Sequence, residues 1–175
     1  MNRRQLFEQQ VMPHLDAGYN LARWLLRDPH AADDALQEAA MRAFRYLDSL
    51  KGDEARPWWL GIVRNTCRTQ LARLQNGPML VEFDDEVFAA ELRAPVTAEP
   101  AERLQNNRLQ REVDAAIRAL APPLREVIVL RELEELAYAD IARIVDVPVG
   151  TVMSRLSRAR GKLREVLAAH RMDPT

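Results

Sequence analysis

Residues 138–164, near the carboxy-terminal end, have the pattern of a helix-turn-helix. Apolar residues repeat at helical spacing on both sides of a break at Asp146-Val147-Pro148. Asp takes up a left-handed backbone in such turns more readily than most residues. From Thr151 to Arg171 there are six Lys or Arg and one acid, although the net charge of the chain is −1. Positive charge concentrated on one helix is typical of DNA binding.

Both predicted helices of this motif have an apolar face and a polar face. The inner faces are expected to be Ile141, Ala142, Ile144 and Val145 in the first helix, and Val152, Leu156, Ala159, Leu163 and Leu167 in the second. The residues that project from other faces of the second helix are Thr151, Ser154, Arg155, Arg158 and Lys162. Small hydroxyls and long cations suit contacts with phosphates and base edges. A basic amphipathic helix can also cover a protein partner or simply keep the chain soluble.

Helical periodicity also dominates the rest of the sequence. The stripes are Leu36, Ala40, Phe44 and Leu47, and Leu109, Val113, Ala116, Ile117 and Leu120. Pro122-Pro123 should end the second of these helices, because proline lacks a backbone donor and restricts the residue before it. No convincing strand alternation occurs, so the sequence predicts an all-α fold.

An acidic segment separates the two helical parts. After the turn signal Asn76-Gly77-Pro78, residues 82–102 carry seven acids and one base, Arg93. The predicted division is a helical domain at 1–75, a flexible linker at 76–102 and a helical domain at 103–172. The linker is either a solvated tether or, through its acids together with Phe83, Val87 and Phe88, a mimic of nucleic acid or a docking segment.

Composition excludes several classes of function. No apolar run approaches the roughly 20 residues that span a bilayer, and the amino terminus lacks the apolar core of a signal peptide, so we expect a cytoplasmic protein without membrane insertion. Cys67 is the single cysteine, and the three histidines are far apart, which leaves no disulfide within the chain and no metal-ligand spacing. Phosphate-loop, serine-hydrolase and zinc-protease motifs are missing. We therefore expect no enzymatic activity, cofactor, metal or small-molecule substrate.

The second helical part resembles the fourth conserved domain of extracytoplasmic-function (ECF) sigma factors, which reads the minus-thirty-five promoter element. The matching segments are Leu120-Ala-Pro-Pro-Leu-Arg-Glu-Val127, Leu130-Arg-Glu-Leu133, Tyr138-Ala-Asp-Ile-Ala142 and Val147-Pro-Val-Gly-Thr-Val-Met-Ser-Arg-Leu-Ser-Arg-Ala-Arg160. The DNA contacts that this resemblance implies are Arg131, Thr151, Ser154, Arg155 and Arg158. The sequence departs from the family pattern at Met153, where Lys or Arg is usual, and at Glu135, where Gly is common.

The first helical part resembles the second sigma domain. Residues 22–38 are similar to the segment that binds the clamp helices of core RNA polymerase, and the residues implied are Asp33, Asp34, Gln37 and Glu38. Residues 57–68 are similar to the helix that recognises the minus-ten element, and the residues implied are Trp58, Trp59, Arg64, Asn65 and Arg68. Tandem tryptophans beside a basic surface can stack on unpaired bases, whereas core packing is the alternative for at least one of them. Leu50, in the loop before this helix, stands where an aromatic is frequent.

The resemblance covers about residues 7–74 and 104–167. It implies a sigma factor that binds core RNA polymerase, directs promoter-specific initiation by recognising and helping to melt promoter DNA, and has an anti-sigma factor as a partner. One alternative is a stand-alone helix-turn-helix regulator that binds duplex sites without polymerase, as a dimer on palindromic half-sites. Another is a helical adaptor whose basic helix docks on an acidic protein.

Overall fold

The computed structural model describes residues 1–76 and 101–172, with side chains at 1–75, 108–169 and 171–172. The helices are α1 (Arg3–Gln10), α2 (Leu15–Leu26), α3 (Pro29–Arg45), α4 (Ala55–Asn76), α5 (Ala101–Ala119), α6 (Pro122–Ile128), α7 (Tyr138–Val145) and α8 (Val149–Arg171). Short 3₁₀ turns at Met12–His14 and Leu47–Ser49 and a π-helical turn at Val129–Leu133 adjoin them. The described ranges contain no strand, which confirms the predicted all-α fold. None of the described helices is both long and apolar enough to cross a membrane.

Local sequence accounts for several helix ends. At α1, the Asn2 side chain accepts from the Gln5 amide at 2.8 Å, and the Gln5 side chain accepts from the Asn2 amide at 3.0 Å. Asp28 caps α3, which begins at Pro29, where a missing backbone donor costs nothing. α5 ends at Ala119, just before Pro122, as the proline pair predicted.

The first half of the chain, residues 1–76, packs α2, α3 and α4 against one another. The inner face of α3 consists of alanines that are completely buried: Ala32, Ala35, Ala39 and Ala43. The predicted stripe lies at the edge of this buried face, since Leu36 and Ala40 are half-buried against the core. Phe44 is 42% exposed, and Leu47 alone of that stripe is buried. Alanine lets neighbouring helices approach closely, which leaves the larger side chains on the flanks of α3.

The second half, residues 101–172, is built around α6, α7 and α8. The predicted inner face of α7 is confirmed, since Ile141, Ala142, Ile144 and Val145 are all buried. In α8 the predicted positions Val152, Leu156 and Ala159 are buried, and Leu163 and Leu167 are partly covered. Ile117 of α5 and Leu120, which directly follows α5, face this core, but Leu109 of the predicted stripe is 56% exposed.

The two halves pack directly on each other, α4 against α7 and α2 against α6. Their buried side chains form one continuous apolar cluster. A shared core suits the size of the halves, because units this small bury little apolar surface when they fold alone. We call this packed state the closed arrangement. The predicted linker lies outside the described residues except at its ends, where α4 stops at Asn76 and α5 starts at Ala101.

Candidate nucleic-acid interface

α7 and α8 form the helix-turn-helix. Asp146 ends α7 in the left-handed conformation, with φ of 56°, as predicted. The Val147 amide donates to the Ala142 carbonyl at 3.1 Å, and the Pro148 carbonyl accepts from the Thr151 amide at 3.0 Å to open α8. The turn is therefore held by backbone hydrogen bonds on both sides, which fixes the direction of α8.

The amino-terminal half of α8 presents an exposed cationic face. Ser154 and Arg158 are exposed, and Thr151 and Arg155 are half-buried. The Ser154 hydroxyl donates to the Thr151 carbonyl at 3.0 Å. Within residues 1–76 and 101–172, no ion pair engages Arg155 or Arg158, whereas Arg160 further along pairs with Glu132 at 2.7 Å. The two guanidinium groups remain free for an anionic ligand such as DNA phosphate. Met153, which is 53% exposed, lies on the same turn and adds an apolar surface.

Arg131, the remaining predicted minus-thirty-five contact, has an intramolecular role in this structure. Its Nη1 donates to the Leu136 carbonyl at 2.8 Å, and its guanidinium lies 4.8 Å from the centre of the Tyr138 ring. Between these partners Glu135 has a φ of 55°, a left-handed conformation that costs a side chain with a Cβ energy. Arg131 therefore braces the strained turn that leads into α7.

The tandem tryptophans of α4 have different environments. Trp59 is completely buried, its Nε1 donates to the His14 carbonyl at 2.8 Å, and its indole lies against Gly18. Trp58 is half-buried, and its Nε1 donates to the Ser49 hydroxyl at 3.2 Å. Trp59 is thus a core residue, so it cannot stack on a base without leaving the core. Trp58 keeps part of its ring accessible.

The polar residues of α4 also differ in access. Asn65 and Arg68 are exposed. Arg64 is buried, with 5% exposure, and forms a bidentate ion pair with Glu126 of α6. In the closed arrangement Arg64 is therefore inaccessible to DNA. Burial, followed by the negative charge of Glu126, raises the pKa of the nearby Cys67 thiol to about 12, so this thiol stays protonated.

Two further ionic contacts join the halves. Arg56 donates to the Glu134 carboxylate at 2.9 Å and to its backbone carbonyl at 2.5 Å, and the Asn20 amide donates to the same carboxylate at 2.9 Å. At the rim, Arg143 donates to both oxygens of Glu54, at 3.0 and 3.2 Å, and these hydrogen bonds lower the pKa of Glu54. Sequence reasoning missed all of these acids, because their partners lie 62 to 114 residues away and leave no local pattern.

A cavity of about 880 Å³ lies between the halves. Its lining includes Arg68 of α4 and Arg155 of α8, which were predicted to contact two different promoter elements. Arg125 also lines it, and burial together with the nearby Arg27 lowers the pKa of Arg125 to about 10. In the closed arrangement one residue from each half, Arg68 and Arg155, therefore faces the same open cleft.

The predicted polymerase-binding residues lie on the outer face of α3. Asp33, Asp34 and Gln37 are exposed, and Glu38 is half-buried in an ion pair with Arg42 one turn later. The alanine face of the helix lies opposite in the core, so this acidic face is open to a partner. In the described part of the chain no cluster of His, Cys, Asp and Glu has the arrangement of a metal site.

A helical bundle followed by a helix-turn-helix whose second helix has an exposed cationic face defines a helix-turn-helix protein of the DNA-binding class. Sequence comparison agrees, since residues 10–76 match the family described as Sigma-70 region 2, and residues 110–163 match Sigma-70, region 4. The chain belongs to the ECF family of RNA polymerase sigma factors. It is accordingly a sigma factor that directs promoter-specific transcription initiation.

Named relatives are similar over most of the chain. RNA polymerase sigma-H factor of Pseudomonas aeruginosa is 30% identical over 168 residues, which cover 94% of this chain and 87% of the relative. ECF RNA polymerase sigma-E factor of Escherichia coli K12 is 38% identical over 131 residues, 73% of this chain and 69% of the relative.

Two solved structures have a similar fold. The sigma factor RpoE in complex with the anti-sigma factor NepR from Bartonella quintana matches with a TM-score of 0.70 and 28% identity, covering 93% of this chain and 96% of that one. CnrH in complex with the cytosolic domain of CnrY matches with a TM-score of 0.64 and 27% identity, covering 96% and 90% of the two chains.

Proposed function

We propose that the two halves of this sigma factor bind different partners during transcription initiation. The first half is a domain at 1–75, which binds core RNA polymerase through α3 and the minus-ten element through α4. The second half, as the domain at 103–172, binds the minus-thirty-five element through α8. The observation that carries this proposal is the cationic face of α8, because Arg155 and Arg158 have no acidic partner among the described residues.

At the upstream element, Thr151, Ser154, Arg155 and Arg158 make the direct contacts. Their position in the first turns of α8 suits entry of the helix end into the major groove. Arg131 acts differently, since its hydrogen bond to Leu136 and its stacking on Tyr138 support a bracing role that orients the motif.

At the downstream element, the accessible residues Trp58, Asn65 and Arg68 make the first contacts. A partly exposed indole supports stacking on an unpaired base, worth roughly 1–3 kcal/mol. Arg64 joins them only after the halves separate, because Glu126 holds it in the closed arrangement. Trp59 supports the site from within the core.

The outer face of α3 supplies the polymerase contact through Asp33, Asp34, Gln37 and Glu38, aimed at the clamp helices. An anti-sigma factor is a second protein partner. This proposal is supported by two similar structures, one of a sigma factor with an anti-sigma factor and the other of CnrH with the cytosolic domain of CnrY. The chain itself catalyses no reaction and holds no cofactor. Its one thiol supports this view, because Cys67 is buried with a raised pKa and is therefore a poor nucleophile.

Reconstituted transcription tests the proposal. Purified chain is added to core polymerase, and promoter-dependent initiation is measured on genomic fragments of the organism that encodes the chain. Arg158→Ala should weaken promoter use about tenfold and leave core binding intact, because it removes one guanidinium from the DNA face. Arg164→Ala is the matched control, since Arg164 is an exposed arginine of the same helix outside the motif's contacts. Equal loss of core binding in Arg158→Ala would refute the role given to this residue.

A double substitution on the outer face of α3 tests the polymerase contact. Gln37→Ala combined with Asp34→Ala should weaken core binding, measured by gel filtration or fluorescence anisotropy, without changing the DNA affinity of the free chain. If the chain bound duplex sites specifically without polymerase and failed to bind core, it would act as the stand-alone regulator instead.

A further inference from the structure

We propose that Met153 of α8 determines part of the promoter preference, by contacting the 5-methyl group of a thymine in the minus-thirty-five element. The inference rests on the proposed entry of α8 into the major groove, and it adds the chemical group that one side chain recognises there. The observation that carries it is an exposed apolar side chain among the residues proposed to contact DNA.

Two large apolar side chains are exposed at the amino-terminal end of α8. Val149 is 41% exposed and Met153 is 53% exposed. They are four residues apart, so they lie on the same side of the helix. Contact between apolar surface and water is unfavourable. This side of α8 is therefore suited to bind an apolar group of a ligand.

The apolar side of α8 lies across the helix from its cationic side. At about 100° per residue, Met153 lies about 140° from Arg158 and about 160° from Arg155 around the helix axis. The exposed residues between Met153 and Arg158 are all small: Gly150, Ser154 and Ser157. Because the major groove is just wide enough for a helix, small side chains on this outward face let the backbone come close to the base edges. Met153 and Arg158 then reach opposite sides of the groove.

The chemistry of the groove selects the base that a methionine side chain favours. Thymine is the base whose major-groove edge carries a methyl group, whereas the other recognition groups on the base edges are hydrogen-bond donors and acceptors. A thioether is only a weak acceptor, and its flexible, unbranched chain adapts to an apolar surface. Met153 therefore favours thymine over the other three bases. A protein partner is the competing occupant of an exposed apolar side, but its binding would not depend on a thymine methyl group.

Selection from randomised DNA tests the base preference. The probe is a promoter fragment that is active in the transcription test, with its minus-thirty-five element randomised. Holoenzyme, reconstituted from the full chain and core polymerase, is incubated with this pool, and the bound DNA is sequenced. The parent chain should enrich thymine at one position or more. Met153→Ala, whose side chain is too short to reach the methyl group, should reduce that enrichment about three- to fivefold, the factor expected for one methyl group withdrawn from water.

Removal of the methyl group alone is the more direct measurement. Deoxyuridine replaces the enriched thymine, which deletes the methyl group and keeps the base pair, and affinity for the holoenzyme is measured by fluorescence anisotropy. The parent chain should bind the uracil DNA about three- to fivefold more weakly, whereas Met153→Ala should bind both DNAs equally. Met153→Leu is still apolar and should keep most of the discrimination. Met172→Ala is the matched control, since Met172 is 88% exposed at the other end of α8, and it should discriminate as the parent does.

Three results would overturn the proposal. They are a selection that enriches no thymine, equal binding of thymine and uracil DNA by the parent holoenzyme, and a Met153→Ala variant that discriminates as the parent does. Weaker core binding by Met153→Ala with unchanged base preference would assign the apolar side to a protein contact instead. In each of these cases, initiation by the parent chain would still support the proposed function. A chain that initiates at no promoter would refute the proposed function together with this inference.

Discussion

Gly18→Ala should destabilise the folded chain, because a Cβ at this position would overlap the indole of Trp59. The ideal Cβ would lie 2.6 Å from Nε1 and 2.9 Å from two ring carbons. The ring has no free space to retreat into, since Trp59 is fully buried and its Nε1 is held by the His14 carbonyl at 2.8 Å. Gly18→Ala must therefore displace either helix α2 or the indole.

The expected change in the free energy of unfolding of Gly18→Ala combines two costs and one gain. Overpacking costs about 1–3 kcal/mol, a weakened indole hydrogen bond costs about 1 kcal/mol, and the higher helix propensity of alanine returns about 1 kcal/mol. With three ring atoms inside contact distance, we expect a net loss of about 2 kcal/mol in the free energy of unfolding, or about 4–8 °C in Tm.

Urea unfolding followed by circular dichroism measures this loss. Gly161→Ala is the matched control, because Gly161 lies within α8 with no atom near its Cβ position. The same substitution should there raise stability by about 0.5–1 kcal/mol. If Gly18→Ala were as stable as the parent chain, the packing of α2 on Trp59 described above would be incorrect.

Three further predictions concern strain, pH and thiol chemistry. Glu135→Gly should raise the free energy of unfolding by about 0.5–1 kcal/mol, because glycine adopts the left-handed φ without a Cβ clash; a loss of stability in urea would contradict this. Burial and the charge of Arg56 lower the pKa of His14 from 6.5, so the unfolded chain binds a proton there more readily than the folded chain. This stabilisation is complete above pH 6.5 and is lost as pH falls below 6.5 toward the lowered folded pKa, so His14→Gln should flatten the fall in stability that urea titrations show below pH 6.5. An unchanged slope would rule out His14 as its source. Cys67 should resist a thiol-specific disulfide reagent at pH 8 in the folded chain, because about one thiol in 10⁴ is ionised at a pKa of about 12, and it should react fully in denaturant; complete reaction of the folded chain would be inconsistent with its burial.

The sequence determined the features that depend on neighbours along the chain. The all-α fold, the turn at Asp146 and the inner faces of α7 and α8 follow from helical spacing and backbone preference, and the structure has them as predicted. The basic character of α8 is also local, because its arginines lie within one helix. These features need no knowledge of what the helix packs against.

Which of several equivalent residues are buried depends on how the helices pack in three dimensions. Trp58 and Trp59 are neighbours in the sequence, but successive residues of a helix point about 100° apart. Because α4 packs on α2, only Trp59 lies in the core. Likewise, the innermost face of α3 is formed by alanines and not by the predicted stripe that contains Leu36 and Phe44, since close helix packing favours the smaller side chain. The pairing of Arg64 with Glu126 joins residues 62 positions apart. No local pattern encodes such a contact, because it exists only when the two halves fold against each other.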